Sequence, residues 1–158
     1  MTRTAPPPDW RETADLMLER GRRVDALIPR VLLDSPISRV GYWYGTAVGW
    51  VWGTVWSTGR IEKMNGLWVF RGMPDWSYPR GGVCAGGCYL TGDVTPSATV
   101  LRHEAIHKRQ WEKYGFLMPI LYRFAGRNPL RNRFEIEAGL EDGNYVPRRR
   151  AQRRVESP

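Results

Sequence analysis

The feature that most constrains this chain is the segment 103–107, His-Glu-Ala-Ile-His, which contains the only two histidines among 158 residues. In an α-helix, residues i and i+4 lie on one face, so this spacing directs both imidazoles to the same side. The two imidazoles can then bind one metal ion, with Glu104 beside it as the base that takes a proton from metal-activated water. The pattern therefore predicts a helix that carries a zinc site. The alternative is a surface helix that contains the pattern by coincidence.

A hydrolytic zinc site needs three protein ligands and one open position for water. Since the chain has no third histidine, the third ligand must be a carboxylate or, as a weaker choice, a cysteine. Glu112 lies on the same predicted helix but faces away from the two histidines. The remaining acidic candidates lie on or just after the last predicted helix: Glu135, Glu137, Glu141 and Asp142.

Turn and capping residues divide the rest of the chain into helices and strands. Asn65-Gly66 is typical of a two-residue hairpin turn, because both residues tolerate the positive φ that a type I′ turn requires. Three strands are predicted, over residues 60–64, 67–71 and 83–91. Thr95-Pro96 favours the start of the histidine helix, and Gly115 its end. Further helices are predicted over residues 9–28, 116–124 and 130–140.

Residues 40–59 carry no charge and lie between Arg39 and Arg60. Four glycines recur at every fourth position of this stretch: Gly41, Gly45, Gly49 and Gly53. On a helix they form a smooth stripe against which another backbone can pack closely. The length would also cross a bilayer, but Gly and Thr insert poorly and Trp and Tyr prefer the membrane interface. The prediction is a buried or interfacial helix packed through its glycines. A membrane span and two glycine-broken strands are the alternatives.

The chain is basic, with a net charge of +8. A charge dominated by arginine favours contact with phosphate groups or an anionic membrane surface, whereas biased codon usage would give the same composition without function. The tail, residues 144–158, is predicted to be a disordered basic segment that could contact nucleic acid or anionic lipid. The Pro-rich leader, residues 1–8, is also predicted to be disordered, and it lacks the apolar core of a secretory signal.

Cys84 and Cys88 are the only cysteines, too few for a disulfide framework. Four residues apart on an extended strand, they would be about 13 Å distant, which excludes a disulfide. A tight turn at Gly86-Gly87 would allow them to pair or to bind metal. The prediction is a reduced pair in a cytoplasmic protein.

The histidine motif and the segment 135–138, Glu-Ile-Glu-Ala, together resemble the gluzincin pattern of zinc peptidases, His-Glu-x-x-His followed by a helix bearing Glu-x-x-Ala. The resemblance implies that His103, His107 and Glu135 bind Zn²⁺ and that Glu104 is the general base. It also implies a peptide or protein substrate. Glu137 is the alternative third ligand.

The order of elements is similar to that of the minigluzincins, the smallest gluzincins. This implies one zincin-like α+β domain over residues 9–143, with N-terminal helices, a small three-stranded antiparallel sheet, an active-site helix and a C-terminal glutamate-bearing helix. It further implies that residues 88–91 form the sheet edge on which an extended peptide lies. Residues 36–145 also look similar to small bacterial proteins of unassigned function that share the wording HExxHxxQW and NRFExEAG.

A working hydrolase also needs a donor that stabilises the oxyanion beside the metal. Tyr114 and Tyr145 are the main candidates, and the others are Tyr122, Arg102 and Arg123. The leading prediction is a small zinc-dependent metallohydrolase of the peptidase kind. Lys108 and Arg109 follow the second histidine, where peptidases usually carry uncharged residues, so metal binding is better supported than cleavage. The alternatives are a non-catalytic, metal-stabilised protein that binds a partner or membrane, and a basic nucleic-acid or membrane-surface protein.

Overall fold

The computed structural model describes residues 7–77 and 81–147. Within these ranges the chain has the predicted mixed α+β class. The helices are α1 (Trp10–Leu27), α2 (Pro36–Trp56), α3 (Ala98–Tyr114), α4 (Leu117–Ala125) and α5 (Arg133–Ala138), with a 3-10 turn at Arg30–Leu32. The strands are β1 (Glu62–Met64), β2 (Leu67–Phe70), β3 (Gly82–Ala85) and β4 (Cys88–Thr91).

The sheet has four strands in the order β1-β2-β4-β3, so the predicted three-stranded antiparallel sheet is wrong in number and direction. β2 and β4 run parallel, whereas the β1–β2 and β3–β4 pairs are antiparallel. The difference arises because residues 83–91 are two strands joined at Gly86-Gly87 rather than one. Gly86 has a φ of 58°, and a Cβ there would lie 2.3 Å from the backbone nitrogen of Thr46, so this turn requires glycine.

α2 packs on the protein through its glycine stripe, as predicted. A Cβ on Gly41 would lie 2.2 Å from the backbone nitrogen of Phe116, and one on Gly53 would lie 2.4 Å from the Phe70 ring. The helix begins earlier than predicted because the Ser35 hydroxyl accepts a hydrogen bond from the Ser38 amide at 3.2 Å. Among the described residues, none of the helices has the length and apolar character needed to cross a membrane.

α3, which carries both histidines, lies on the sheet. A cluster of buried side chains fills the space between them: Leu67, Val69, Cys84, Tyr89 and Leu101. The indole nitrogen of Trp111 donates a hydrogen bond to the carbonyl oxygen of Cys84 at 2.9 Å, which joins α3 to the outer strand β3. The helix starts two residues later than expected from Thr95-Pro96, because Ser97 caps it, and it ends before Gly115 as predicted.

An ion-pair cluster connects α1, α3 and α5. The guanidinium of Arg133 donates to the Gly21 carbonyl oxygen at 2.7 Å and to the Asp25 carboxylate at 2.8 Å. Asp25 also accepts hydrogen bonds from Lys113 at 2.8 Å and from the Tyr114 hydroxyl at 2.5 Å. Burial alone would raise the pKa of Asp25, but these donors outweigh it and lower the pKa. The cluster fixes α5, and therefore its carboxylates, relative to α3.

At its C-terminal side, the described chain stays packed for a few residues past the expected domain boundary at residue 143. Asn144 to Val146 belong to the predicted tail, yet Val146 is buried, so packing continues beyond residue 143. Residues 148–158, with the five tail arginines, lie outside the described residues. Residues 1–6 of the predicted leader also lie outside them. α5 is shorter than the predicted helix over 130–140, because the Asn132 side chain caps it by accepting from the Phe134 amide at 3.0 Å.

Candidate metal centre

The structure brings His103 and His107 of α3 together with Glu135 of α5. The two imidazole Nε2 atoms are 3.1 Å apart. Nε2 of His103 lies 3.1 Å from one carboxylate oxygen of Glu135, and Nε2 of His107 lies 3.6 Å from the other. All three residues are at least 93% buried, and their ligand atoms lie within 4.8 Å of one another. These atoms could therefore hold a single metal ion.

Hydrogen bonds fix the orientation of both imidazoles. Nδ1 of His103 lies 3.0 Å from the carbonyl oxygen of Gly139, which can only accept, so Nδ1 carries the proton. Nδ1 of His107 lies 2.7 Å from the amide oxygen of Gln110. The Gln110 amide nitrogen donates to the Phe134 carbonyl oxygen at 3.0 Å, which determines which end of the amide faces His107. Both Nε2 atoms are therefore free to offer a lone pair to a metal.

The distances fit a tetrahedral zinc ion. With Zn–N and Zn–O bonds of about 2.0–2.2 Å, two ligand atoms of one tetrahedron lie roughly 3.3 Å apart. The two imidazole nitrogens are 3.1 Å apart, and the two oxygens of Glu135 lie 3.1 Å from one nitrogen and 3.6 Å from the other. Two neutral nitrogen acceptors so close together repel each other unless a cation or proton lies between them. Two imidazoles and one carboxylate are also the ligand set of several catalytic zinc sites, which keep a fourth position for water.

The electrostatics of the site favour a cation. Burial would raise the pKa of Glu135, but the adjoining His103 and His107 imidazoles and the Tyr122 hydroxyl outweigh it, so its pKa is lowered and it stays ionised. The Tyr122 hydroxyl donates a further hydrogen bond to Glu135. Burial would lower the pKa of His107, but the adjacent Glu135 carboxylate and the charge of Glu104 outweigh it and raise this pKa. Two buried carboxylates thus surround the point where the imidazoles meet.

Glu104 lies next to His103, His107 and Glu135, but it is not one of the side chains whose ligand atoms converge on one point. Its Oε2 atom is buried and has no hydrogen-bond partner among the described residues, although buried carboxylate oxygens are normally bonded. Burial raises the pKa of Glu104, and the negative charge of Glu135 adds to this effect, while His107 and His103 oppose it. A raised pKa makes this carboxylate a stronger base than an exposed glutamate.

Glu104 and the two histidines line a cavity of about 320 Å³. Its walls also include residues of β3, α3 and α4 together with Tyr145: Gly82, Val83, Cys84, Trp111, Met118, Pro119, Tyr122, Arg123 and Tyr145. β3 is an outer strand of the sheet, whereas β4 lies between β2 and β3 and is fully buried. The expected peptide-binding edge at residues 88–91 is therefore wrong, and the strand that borders the cavity is β3.

The two main oxyanion-donor candidates lie in different places. Tyr145 lines the cavity, and its ring centroid is 5.9 Å from that of His103. Burial and the neighbouring Glu135 raise the pKa of Tyr145, so its hydroxyl keeps its proton. Tyr114 is buried elsewhere, in the ion-pair cluster, where its hydroxyl donates to Asp25. The structure thus does not support Tyr114 as a donor at this site.

The other candidates divide in the same way. Tyr122 and Arg123 line the cavity, and the Tyr122 hydroxyl is bonded to Glu135. Arg102 is exposed and pairs with Asp142 at 3.1 Å. A close approach at the end of the described chain brings Tyr145 to the site: a Cβ on Gly143 would lie 2.6 Å from Cε1 of His103.

Gln110 is a site residue to which the sequence assigned no role. Its amide nitrogen donates to a Glu137 carboxylate oxygen at 3.0 Å as well as to the Phe134 carbonyl. Glu137 therefore lies behind Gln110, two hydrogen bonds from His107, and is not among the three converging side chains. The spacing of Gln110, three residues after His107 and hence on the same helix face, is the feature from which its role could have been inferred.

We expect Gln110→Ala to lower zinc affinity by about 10–100-fold, because an unsupported His107 loses its fixed orientation and some basicity. Competition with a chromophoric chelator at neutral pH measures this. Arg109→Ala is the matched control, since Arg109 is the exposed neighbour on the same helix and should leave affinity unchanged. Equal affinities for wild type and Gln110→Ala would contradict the positioning role.

The sequence matches no protein-family model, and no curated protein or solved structure matches it either. The resemblance to the gluzincins therefore stays a prediction based on the motif residues. What the site can do chemically follows from its own side chains, their separations and the cavity beside them.

Proposed function

We propose that the protein is a zinc-dependent hydrolase that cleaves a peptide bond. The observation that carries this proposal is the arrangement of two lone-pair-bearing imidazoles and an ionised carboxylate around one point, with the unpartnered Oε2 of Glu104 beside it. A purely structural metal site would have a closed set of four protein ligands. Here three candidate ligands border a cavity, which leaves room for a water molecule and a substrate.

His103, His107 and Glu135 would hold the ion. Zinc in such a position lowers the pKa of a water molecule to about 7 and withdraws charge from a carbonyl oxygen. The protein's part is to present both Nε2 lone pairs and one charged carboxylate in a dry, fixed arrangement. Gly139, Gln110 and Tyr122 provide the hydrogen bonds that keep these groups in place.

Glu104 is the general base. Its Oε2 accepts a proton from the attacking water, so that the water oxygen can form a bond to the carbonyl carbon of the substrate. The same carboxylic acid then donates that proton to the amide nitrogen as the carbon–nitrogen bond breaks. The products are a carboxylic acid and an amine, the remaining water proton then passes from the acid to the amine to give a carboxylate and an ammonium ion, and Glu104 returns to its charged state.

Tyr145 is proposed as the donor to the developing oxyanion. It lines the cavity, its ring lies next to His103, and its hydroxyl keeps its proton at neutral pH. A protonated phenol in a partly dry cavity can donate a hydrogen bond to the negative oxygen of the tetrahedral intermediate. The Tyr122 hydroxyl is the alternative donor, since it also lines the cavity and, like the Tyr145 hydroxyl, interacts with the Glu135 carboxylate.

The proposed substrate is an extended peptide with an apolar side chain near the cleaved bond. β3 is an outer strand that borders the cavity, so a peptide can pair with its main-chain groups other than the Cys84 carbonyl oxygen, which accepts from Trp111. The cavity volume of about 320 Å³ accommodates one or two side chains rather than a folded segment. Val83, Met118 and Pro119 give it an apolar wall.

We also propose a cytoplasmic location. Cys84 and Cys88 lie on adjacent strands across the Gly86-Gly87 turn, and both are buried as free thiols. Burial raises the pKa of Cys88 to about 12 and raises that of Cys84 well above its usual value, so both remain unreactive thiols. A reducing compartment suits such a pair.

Removal of zinc with a chelator is expected to abolish hydrolysis of a fluorescence-quenched peptide library, and one equivalent of zinc per chain is expected to restore it. The physical reason is that Glu104 alone cannot generate a nucleophile from bulk water at neutral pH. Liquid chromatography with mass spectrometry locates the cleaved bond. Stoichiometric zinc without turnover of the library or of denatured protein would contradict hydrolysis and favour the non-catalytic, metal-stabilised alternative.

A further inference from the structure

The outward side of α2 is a large apolar surface, here called the outer face of α2. It consists of the side chains opposite the packed glycines: Val40, Trp43, Tyr44, Val48, Val51, Trp52, Val55 and Trp56. Trp43, Val51 and Val55 are 64%, 68% and 63% exposed. Single exposed apolar residues are ordinary, but a contiguous face of this kind marks an interaction surface.

Three indoles form a cluster at the C-terminal end of this face. Trp76, from the loop after β2, packs edge-on against Trp56 with ring centroids 5.2 Å apart and against Trp52 at 6.3 Å. The cluster is not a buried core, because Trp76 is 65% exposed. Indole rings with an apolar body and one polar N–H group are enriched at the interface between lipid headgroups and acyl chains.

The apolar surface continues from α2 onto α4. Tyr44 contacts Phe116, with ring centroids 5.5 Å apart. Beyond Phe116, Ile120 and Phe124 of α4 are also exposed. Two neighbouring helices therefore present aromatic and aliphatic side chains on adjoining surfaces.

We propose that the outer face of α2 binds the surface of an anionic phospholipid bilayer, with the helix parallel to the membrane plane. The glycine side of α2 is held against Gly115 and Phe116 backbone atoms, so lipid can reach only the outer side. Between Arg39 and Arg60 the helix has no charged residue that would have to be desolvated. Interfacial helices combine such an apolar face with basic residues near it.

Charge favours a lipid surface over a second copy of this chain. The net charge of +8 attracts anionic headgroups but opposes self-association. Arg39 and Arg60, at the two ends of the face, keep 57% and 82% of their side chains exposed, although each lies within 4.0 Å of a glutamate. A two-fold dimer through this face would bring two chains of net charge +8 together.

The test compares two variants with the same change in charge. Val51→Glu with Val55→Glu places two carboxylates on the outer face, whereas Leu27→Glu with Val94→Glu places them at other positions that are 84% and 74% exposed. All four positions are well exposed, so both double variants should fold. Co-sedimentation with phosphatidylcholine vesicles, with and without phosphatidylserine, measures binding by the full-length chain.

We expect wild type to bind phosphatidylserine vesicles with a blue-shifted tryptophan emission. The variant with Val51→Glu and Val55→Glu should bind at least about tenfold more weakly than the Leu27/Val94 variant. Only the former places carboxylates where the outer face of α2 would contact the lipid. Equal binding by the two variants would assign any lipid affinity to the basic tail and overturn the proposal. A wild-type dimer that the outer-face variant converts to a monomer, without vesicle binding, would identify a second copy as the occupant and also overturn it.

Discussion

Glu104→Gln is expected to bind zinc like the wild type and to lose hydrolytic activity by roughly 10²–10⁴-fold in kcat. The amide has the size of the carboxylate but cannot accept a proton from water. Glu104 is not among the three converging ligand side chains, so the metal should stay in place. Steady-state kinetics on the best library peptide, together with metal analysis of the same sample, measure both quantities.

Glu112→Gln is the matched control, because Glu112 lies on the same helix and pairs with Lys108 at 2.8 Å, away from the cavity. It should keep both zinc and activity. Unchanged turnover in Glu104→Gln would show that another group is the base, and loss of zinc in that variant would place Glu104 among the ligands.

The second large effect concerns the third ligand. Glu135→Gln should lower zinc affinity by at least about a hundredfold, more than the loss of a group that only supports a ligand. Its carboxylate contacts both imidazoles, and its charge offsets that of the cation. Chelator competition at neutral pH measures the dissociation constant, and circular dichroism of the metal-free proteins checks that both remain folded.

Glu137→Gln separates the two glutamates that the sequence left open. Glu137 contacts the amide of Gln110 rather than an imidazole. We therefore expect the zinc affinity of the Glu137→Gln variant to be less than about tenfold below that of the wild type. The opposite order, with a severe loss in Glu137→Gln and little change in Glu135→Gln, would make Glu137 the ligand. It would also require α5 to rotate from its described position.

Local patterns predicted the helical parts of this fold well. The four-residue glycine spacing predicted how α2 packs. Glycines at every fourth position lie on one face of a helix, and a face without Cβ atoms allows other parts of the chain to pack closely against the helix backbone. Asn65 and Gly66 adopt the positive φ values, 49° and 79°, that their hairpin turn requires. Close backbone approach in α2 and positive φ values in the hairpin turn both restrict which residue types can occur. The residue types at these positions therefore predict the local structure.

Strand pairing was not predictable in the same way. Residues 83–91 read as one strand because Gly86-Gly87 is compatible with a turn and with a weak extended segment alike. The turn at Gly86 packs closely against Thr46 of α2, and this contact distinguishes the turn from an extended strand. The contact joins residues that are far apart in the sequence, so no local pattern reveals it. The mistake also moved the expected sheet edge from β3 to β4.

The candidate site shows the same division. The spacing within α3 placed His103, Glu104 and His107 on adjoining positions because it is a property of one helix. Tyr122 joins the site through a bond to Glu135 that depends on how α4 packs on α5. The exclusion of Tyr114 depends on its bond to Asp25 of α1. Long-range packing decides both outcomes, and neither has a sequence spacing of its own.

We infer that His103, His107 and Glu135 hold one zinc ion at the wall of the cavity. A crystal of the protein loaded with zinc, measured on both sides of the zinc absorption edge, tests it most directly. We expect one anomalous peak about 2.0–2.2 Å from both Nε2 atoms and from a Glu135 oxygen. Absence of a peak there in a crystal equilibrated with zinc at neutral pH, or a peak held by other residues, would contradict it.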